Sequence, residues 1–291
     1  MFTKITTGVA MKVKFWGTRG SIATPGQDTA IYGGNTTCVE VVCNEGQRVV
    51  IDAGSGLRLL GEYMRDAGEH TSLYLLITHI HWDHLLGFPF FSPIHDEKTE
   101  IMVDGYPTCI KGIRYAFDNQ MGDGFSPISF EDLEAKITYL GVLKREILRI
   151  GDVMIDKVPL NHPQGGYGYR FEEEGKRFVF ITDNELNLSG EGHGIPELYV
   201  RFCEGADILV HDAQYTPEEF SMRRGWGHSS FEDALELALK AGVKKLLLFH
   251  HDPTRTDKQL EAIEQRCKKI VKDRGSDVEV EAAREGQELV L

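Results

Sequence analysis

The stretch Thr78-His79-Ile80-His81-Trp82-Asp83-His84 constrains this chain more than any other. It packs three imidazoles and a carboxylate into six positions directly after the apolar run Leu73-Tyr74-Leu75-Leu76-Ile77. The run predicts a buried strand. His79 and His81, two residues apart, fall on the same face of an extended segment, while Asp83 and His84 follow where the strand must turn. One strand end can therefore offer two ligands to one ion and two to a second ion close by. Neutral imidazoles and carboxylate oxygens suit zinc and its first-row neighbours. A metal-free His-rich loop fits less well, because unpaired polar groups at a strand end rarely cluster in this way.

Three later residues repeat the same placement, a polar group just past an apolar strand. His162 follows Val158-Pro159-Leu160-Asn161, Asp183 follows Phe178-Val179-Phe180-Ile181-Thr182, and His250 follows Leu246-Leu247-Leu248-Phe249. Taken singly, each also reads as an ordinary loop residue; together, behind the first cluster, they extend the metal site. The surrounding pattern predicts strands over 11–16, 37–43, 48–52, 100–104, 136–140, 153–160, 167–172, 177–182, 207–211, 245–249, 278–282 and 288–291. Helices are predicted over 57–66, 196–203, 217–223, 231–240 and 257–272. Strands meeting helices in this rhythm indicate an α/β fold and not an all-β sandwich. Glu173-Glu174-Gly175 supplies a hairpin turn. The least periodic segment, 106–129, and Phe130 after it carry Tyr106, Tyr115, Phe117, Phe125 and Phe130, which either cover a site or pack locally. The chain is expected to form a single domain over 11–291, after an N-terminal extension over 1–10, with Met1 and Met11 both open as the start of translation.

Composition excludes several classes. No apolar stretch approaches the roughly 20 residues needed to span a bilayer, and residues 1–10 lack the apolar core of a signal peptide. The five cysteines, Cys38, Cys43, Cys109, Cys203 and Cys267, are odd in number and scattered. They fit neither a disulfide framework nor a zinc knuckle, so a reducing cytoplasm is expected. The net charge of −13 repels polyanions at long range, which disfavours tRNA or DNA as partners. It leaves room for a small anion drawn in by a local metal centre.

A second chemical element is Gly225-Trp226-Gly227-His228-Ser229-Ser230, just before a predicted helix. Ser229 or Ser230 can cap that helix through Glu232 or Asp233 in a capping-box arrangement. A helix start offers backbone N–H groups and partial positive charge, and His228 lies beside it. That combination suits phosphate binding and delivery of a proton to a leaving oxygen. A passive histidine on an ordinary capped helix is the plainer alternative.

With these residues in view, the chain from Met11 onward resembles the metallo-β-lactamase superfamily. The signature His79-x-His81-x-Asp83-His84, followed by His162, Asp183 and His250, is similar to the superfamily's two-metal ligand set in order and spacing. The resemblance implies a four-layer αββα sandwich with two divalent ions at one edge, zinc first, with manganese or iron(II) as alternatives. His79, His81 and His162 would hold one ion, Asp83, His84 and His250 the other, and Asp183 would bridge them. His251 is an alternative to His250. Within the superfamily the likeness is to the branch containing RNase Z and the cyclic-phosphate phosphodiesterases. Phe15-Trp16-Gly17-Thr18-Arg19-Gly20-Ser21 resembles that branch's opening strand and turn. Val210-His211-Asp212-Ala213 stands where RNase Z has His-Glu-Ala-Thr, and Gly227-His228-Ser229 resembles the branch's Gly-His-Ser element. A metal-dependent hydrolase of a small phosphodiester such as a cyclic nucleotide is implied. Asp83 would orient the nucleophile and His228 would serve the leaving group. His211, Asp212, Ser229 and Ser230 would support neighbouring groups or meet substrate. Thioester, lactone or amide hydrolysis, an iron-dependent oxygenase, and a non-catalytic nucleotide-binding sensor are the rival readings. A homodimer is left open.

Overall fold

Strands covered on both faces need apolar residues at every position, and the long apolar runs of this sequence become strands of that kind. The computed structural model describes residues 11–68, 72–107, 115, 128–186 and 195–291. In the first half the strands are β1 (Lys12–Gly17), β2 (Cys38–Val42), β3 (Arg48–Ile51), β4 (Ser72–Ile77), β5 (Glu100–Gly105) and β6 (Lys136–Tyr139). The second half has β7 (Leu148–Ile150), β8 (Val153–Pro159), β9 (Tyr167–Glu173), β10 (Lys176–Ile181), β11 (Ile208–Asp212), β12 (Lys245–Phe249) and β13 (Glu279–Ala282), and β14 (Glu288–Val290) returns to the first. They form two sheets, ordered β14-β1-β2-β3-β4-β5-β6 and β13-β12-β11-β10-β9-β8-β7. The helices are α1 (Gly56–Ala67), α2 (Glu197–Cys203), α3 (Pro217–Met222), α4 (Phe231–Ala241) and α5 (Asp257–Asp273).

Side-chain alternation sorts each strand between two cores. Phe178 and Phe180 of β10 point between the sheets with Phe15, Val49, Ile51, Leu247 and Phe249, and the Phe180 and Phe249 rings meet edge-on at 5.3 Å. Val179 and Ile181 of the same strand face outward, with Leu246 and Leu248, onto α2, α4 and α5. On the other sheet, Val50, Leu73, Leu75 and Ile77 pack against Leu57, Leu60 and Met64 of α1. The result is a helix–sheet–sheet–helix stack, the αββα arrangement expected. Each fully buried Phe or Leu contributes about 1.5–3 kcal/mol, so the two apolar faces of the strands hold all four layers together.

The strand directions decide where a site can form. β3, β4 and β5 run parallel, as do β10, β11, β12 and β13. β9 is antiparallel to both β8 and β10, so β8 shares their direction. The carboxyl ends of β3 and β4 in one sheet, and of β8, β10, β11 and β12 in the other, are thus the places where chain leaves a sheet together. Ligands in α/β folds gather outside such ends.

Several local features differ from the expectations. β7 has only three residues, too short to register as a period, and is joined to β8 by a turn in which Gly151 has φ 58. Glu173 still pairs with Lys176, so the hairpin loop is Glu174-Gly175, with φ 49 and 79, as a two-residue type I′ turn requires. Of the irregular segment, residues 108–114 and 116–127, with Cys109, Phe117 and Phe125, lie outside the described residues, as do residues 1–10. Tyr106 packs edge-on against Tyr167 at 5.1 Å, and Phe130 opens a 3-10 turn, Phe130–Asp132. Cys38, Cys43, Cys203 and Cys267 are buried free thiols. Among the described residues no helix is long and apolar enough to cross a membrane.

Candidate metal centre

After β4 the chain stays extended through His81 and then closes a 3-10 turn, Trp82–His84, with His84 N–H donating to the His81 carbonyl at 3.1 Å. The turn separates the side-chain pair of the strand end from the pair that follows. The second sheet contributes His162 from the β8–β9 loop, Asp183 two residues past β10 and His250 immediately past β12. Asp183 and His250 have φ 52 and 57, and Asp52, just past β3, has φ 62. Left-handed backbone is disfavoured for such residues and persists only where surrounding contacts impose it. Three strand ends are therefore bent in the same way at one place.

These residues form two groups that share Asp183. His79, His81, His162 and Asp183 are one, and Asp83, His84, Asp183 and His250 the other, with the ligand atoms in each group within 4.8 Å of one another. His84 Nε2 is 3.3 Å from both Asp83 Oδ2 and Asp183 Oδ2, and His250 Nε2 is 3.2 Å from the same two oxygens. His162 Nε2 is 3.2 Å from His81 Nδ1. A tetrahedral site with metal–ligand bonds of about 2.0–2.1 Å has ligand–ligand edges of about 3.3–3.4 Å, so this spacing is that of a coordination shell.

The other nitrogen of each ring is held by an outside partner. His79 Nδ1 donates to Thr78 Oγ1 at 3.1 Å, whose hydroxyl donates to Asp52. His84 Nδ1 donates to Asp52 Oδ2 at 2.7 Å. His81 Nε2 donates to Gln164 Oε1 at 2.7 Å, His162 Nδ1 to the Gly227 carbonyl at 3.1 Å, and His250 Nδ1 to Gln214 Oε1 at 3.0 Å. Each ring is thereby turned so that its remaining nitrogen faces the cluster, the usual support of a metal-bound imidazole. The inward nitrogens of His79 and His84 are buried without a hydrogen bond. Buried polar atoms rarely go unpaired, and a cation between them would supply the missing partner. The donor set fits two divalent ions.

Electrostatics agrees. Burial, with the charge of His84 next, holds His79 well below the usual imidazole range, which keeps it in the neutral form a metal needs. Burial works against ionisation of Asp83 and Asp183, yet His84 and His250 outweigh it and hold both carboxyls well below their ordinary range. His84 is buried too, but Asp83, Asp183 and Asp52 hold its imidazole well above the usual range. The cluster demands positive charge at its centre.

Two glycines set the position of the rings. A Cβ on Gly20 would fall 2.4 Å from His250 Nδ1, and one on Gly227, where φ is 85, would fall 2.1 Å from His162 Nδ1. Gly227 belongs to a fixed loop, because the Glu185 carboxylate accepts from the amides of Gly225 at 2.7 Å and Gly227 at 3.1 Å. His228 follows. Its Nδ1 donates to Asp212 Oδ2 at 2.7 Å and its ring stacks on His250 at 5.1 Å. Burial alone would lower its pKa, but Asp212 and then Asp183 raise it to about 9. Asp212 is fixed in turn by the amides of Gln214, Asn184 and Ser229.

The remaining candidates occupy supporting positions. His211 is fully buried, with Nδ1 donating to the Asp212 carbonyl at 2.7 Å. Ser229 donates to the Asn184 carbonyl and accepts from Leu186 N–H. Ser230 is the N-cap of α4, accepting from Asp233 N–H at 3.1 Å. Both hydroxyls are thus satisfied within the protein. His251 points away and donates to the Ala283 carbonyl at 2.8 Å, so His250 is the residue that joins the cluster. Sequence reading overlooked Asp52, Gln164, Gln214, Glu185 and Ser21, whose N–H donates to Asp83 Oδ2 at 2.8 Å. The strand-end rule that singled out His162 and Asp183 also picks Asp52, directly after Val49-Val50-Ile51; the two glutamines carry no such signal.

A family model described as the beta-lactamase superfamily domain matches residues 47–251. Ribonuclease Z of Lactococcus lactis is 30% identical over 217 residues, covering 60% of this chain and 69% of the relative. A solved diphosphatase of the PhnP family superposes with a TM-score of 0.67 at 18% identity, covering 97% of this chain and 98% of that one. The short form of human tRNase Z gives 0.61 at 18%, covering 96% and 98%. The expectation that tRNA is disfavoured is corrected by these relatives, which are ribonucleases Z and a tRNase Z. Net charge sums the whole surface and omits bound cations, whereas attraction of a polyanion is set by the field at the site itself. With the motif, the two-sheet fold and the shared-carboxylate cluster in agreement, the chain belongs to the metallo-β-lactamase superfamily, among hydrolases related to ribonuclease Z.

Proposed function

We propose that the protein hydrolyses phosphodiesters at a two-metal centre and that its substrate is a small phosphodiester such as a cyclic nucleotide. The observation that carries this reading is His228, tied to Asp212 at 2.7 Å and stacked on the ligand residue His250. A proton donor fixed beside a metal cluster suits a reaction whose leaving group departs as an alkoxide. His79, His81 and His162 would hold one ion, Asp83, His84 and His250 the other, and Asp183 both. The imidazole-rich set favours zinc. Such ions, when bound, make hydroxide available near neutrality and stabilise charge on the attacked phosphoryl group.

The protein's own groups divide the remaining work. Asp83, anchored by the Ser21 amide, orients the attacking water from the side of the first sheet. Asp212 commits the Nδ1 proton of His228 and leaves Nε2 to deliver a proton to the departing oxygen. A second reading, an RNA phosphodiester, is favoured by the ribonuclease Z relatives. Both share the same bond-breaking step and differ in the size of the substrate.

The test is metal quantitation on purified protein with a turnover screen of bis(p-nitrophenyl) phosphate, 2′,3′- and 3′,5′-cyclic nucleotides, a tRNA transcript, a thioester and a lactone. Two metals per chain with cleavage of a small diester supports the reading. Cleavage of RNA alone replaces the substrate but keeps the chemistry. Turnover confined to the carbonyl compounds overturns it.

A further inference from the structure

The cluster is closed on one side and open on the other. His79, His84, Asp183 and His250 are at most 1% exposed, whereas His162 and His228 are each 9% exposed and His81 is half-buried. The mouth of the centre therefore lies at His81, His162 and His228. Two tryptophans are close neighbours of these residues in the chain. Trp82 directly follows His81, and its indole is 59% exposed although the next two residues, Asp83 and His84, are buried. Trp226 lies two residues before His228 and directly before Gly227, whose α-carbon backs onto His162; it is 62% exposed.

Neither indole is left out for want of order. The backbone at Trp82 is locked by the 3-10 turn, its carbonyl accepting from Leu85 and Leu86 at 3.0 and 2.8 Å. Trp226 is mounted between Gly225 and Gly227, with φ 82 and 85, whose amides both donate to Glu185. A buried carboxylate thus holds in place a loop that presents a large aromatic face to water. Trp is costly to expose, and an indole on a fixed backbone, with only two side-chain torsions to order, supplies flat contact area at little loss of conformational freedom. By contrast Trp16, the remaining tryptophan, is 8% exposed and donates to Glu40 at 2.8 Å within the fold.

The geometry points to Trp82 and Trp226 as the groups that receive a nucleobase, so that the substrate is a nucleotide diester recognised by stacking on exposed indoles carried next to His81 and His228. This rests on the phosphodiesterase reading above and adds the organic part of the substrate. Stacking on indole is tolerant of base identity, since every base offers a π-face. Selection is therefore for a base over an aliphatic alcohol, and not for one base over another.

Two measurements separate this inference from the reaction itself. In the first, metal-loaded full-length protein is titrated with adenosine 5′-monophosphate and, separately, ribose 5-phosphate, while tryptophan emission is followed. Saturable quenching by the nucleotide, at concentrations where the sugar phosphate has little effect, is expected. Trp82→Ala and Trp226→Ala should each weaken nucleotide binding at least about fivefold, and Trp82→Phe and Trp226→Phe should recover most of it. Equal responses to the two ligands, or nucleotide binding untouched by both alanine substitutions, would overturn the inference. So would sedimentation showing that the substitutions act by dissolving a dimer that buries these indoles. In the second, the ratio of kcat/KM for thymidine 5′-(p-nitrophenyl) phosphate over methyl p-nitrophenyl phosphate is compared. It should fall at least about fivefold in either alanine variant. If wild type cleaves neither ester, the hydrolytic reading fails, and the nucleotide titration still decides the role of the tryptophans.

Discussion

The two sheets contribute to the centre in opposite ways. The first delivers His79, His81, Asp83 and His84 from one strand end within six consecutive residues. The second delivers His162, Asp183 and His250 from three separate strand ends, two of them in left-handed backbone. The first half is therefore held together covalently and would keep its ligands near one another in an unfolded chain. The second exists only when β8, β10 and β12 are in register, so the complete centre is a property of the folded pair of sheets. An ion held by both groups would therefore couple its affinity to folding chiefly through the second sheet.

Perturbations can break or sharpen that contrast. The largest effect is expected at Asp183, the second-sheet residue common to both groups. Asp183→Asn should leave fewer than two metals per chain by elemental analysis and lower turnover at least about 10³-fold, given the several kcal/mol of charge stabilisation that such ions supply. Retention of both metals would deny it the shared role. Next is His228→Ala, which should keep the metal content and lower turnover by roughly 10²-fold or more. The loss should be smaller for a p-nitrophenolate leaving group than for an alkoxide, because the better leaving group needs less protonation; a uniform loss would exclude it as the proton donor.

Asp52→Ala tests support within the first sheet. It removes the acceptor of His84 Nδ1, Thr78 N–H and the Thr78 hydroxyl, and metal affinity by competitive chelation should fall about 10–100-fold. Gly227→Ala probes the second sheet, where the added methyl would meet His162 at 2.1 Å in a backbone with φ 85. It should cost about 1–3 kcal/mol of stability in denaturant unfolding and release metal more readily than wild type. The smallest effect belongs to a position outside both groups of ligand residues. Thr256→Ala removes the capping box of α5, in which Thr256 Oγ1 and Gln259 satisfy each other's backbone amides, and should cost about 1 kcal/mol with metal content unchanged. A loss of metal there would mean that the centre is sensitive to any loss of stability, and the contrast between the sheets would lose its meaning.

Legibility followed the same division. The β4 cluster could be read because its residues are neighbours in the chain, and most strands because apolar runs covered on both faces leave a continuous signature. His162, Asp183 and His250 were visible only as polar residues past strand ends, a weak mark that gained force from the first cluster. Gln164 and Gln214 carry no mark, since their partners His81 and His250 are 83 and 36 residues away and a lone glutamine in a loop looks like any other. Ser230 was half legible: the cap was expected, whereas the role of its neighbour Ser229 in clamping Asn184 and Leu186 depends on a strand far off in sequence. The expectation from net charge that tRNA is disfavoured failed because charge is a property of the whole surface and recognition belongs to one edge of it.

Gly227 joins two functions through a single residue. Its carbonyl accepts from His162, a proposed metal ligand, and its amide donates to Glu185, which also holds the loop bearing Trp226. Filling or emptying the metal site must therefore be felt at this peptide. Hydrogen exchange at the Gly225 and Gly227 amides becomes a spectator of occupancy, slow when His162 is anchored by an ion and faster when it is released. The state of the centre could then be read from the backbone without any substrate at all.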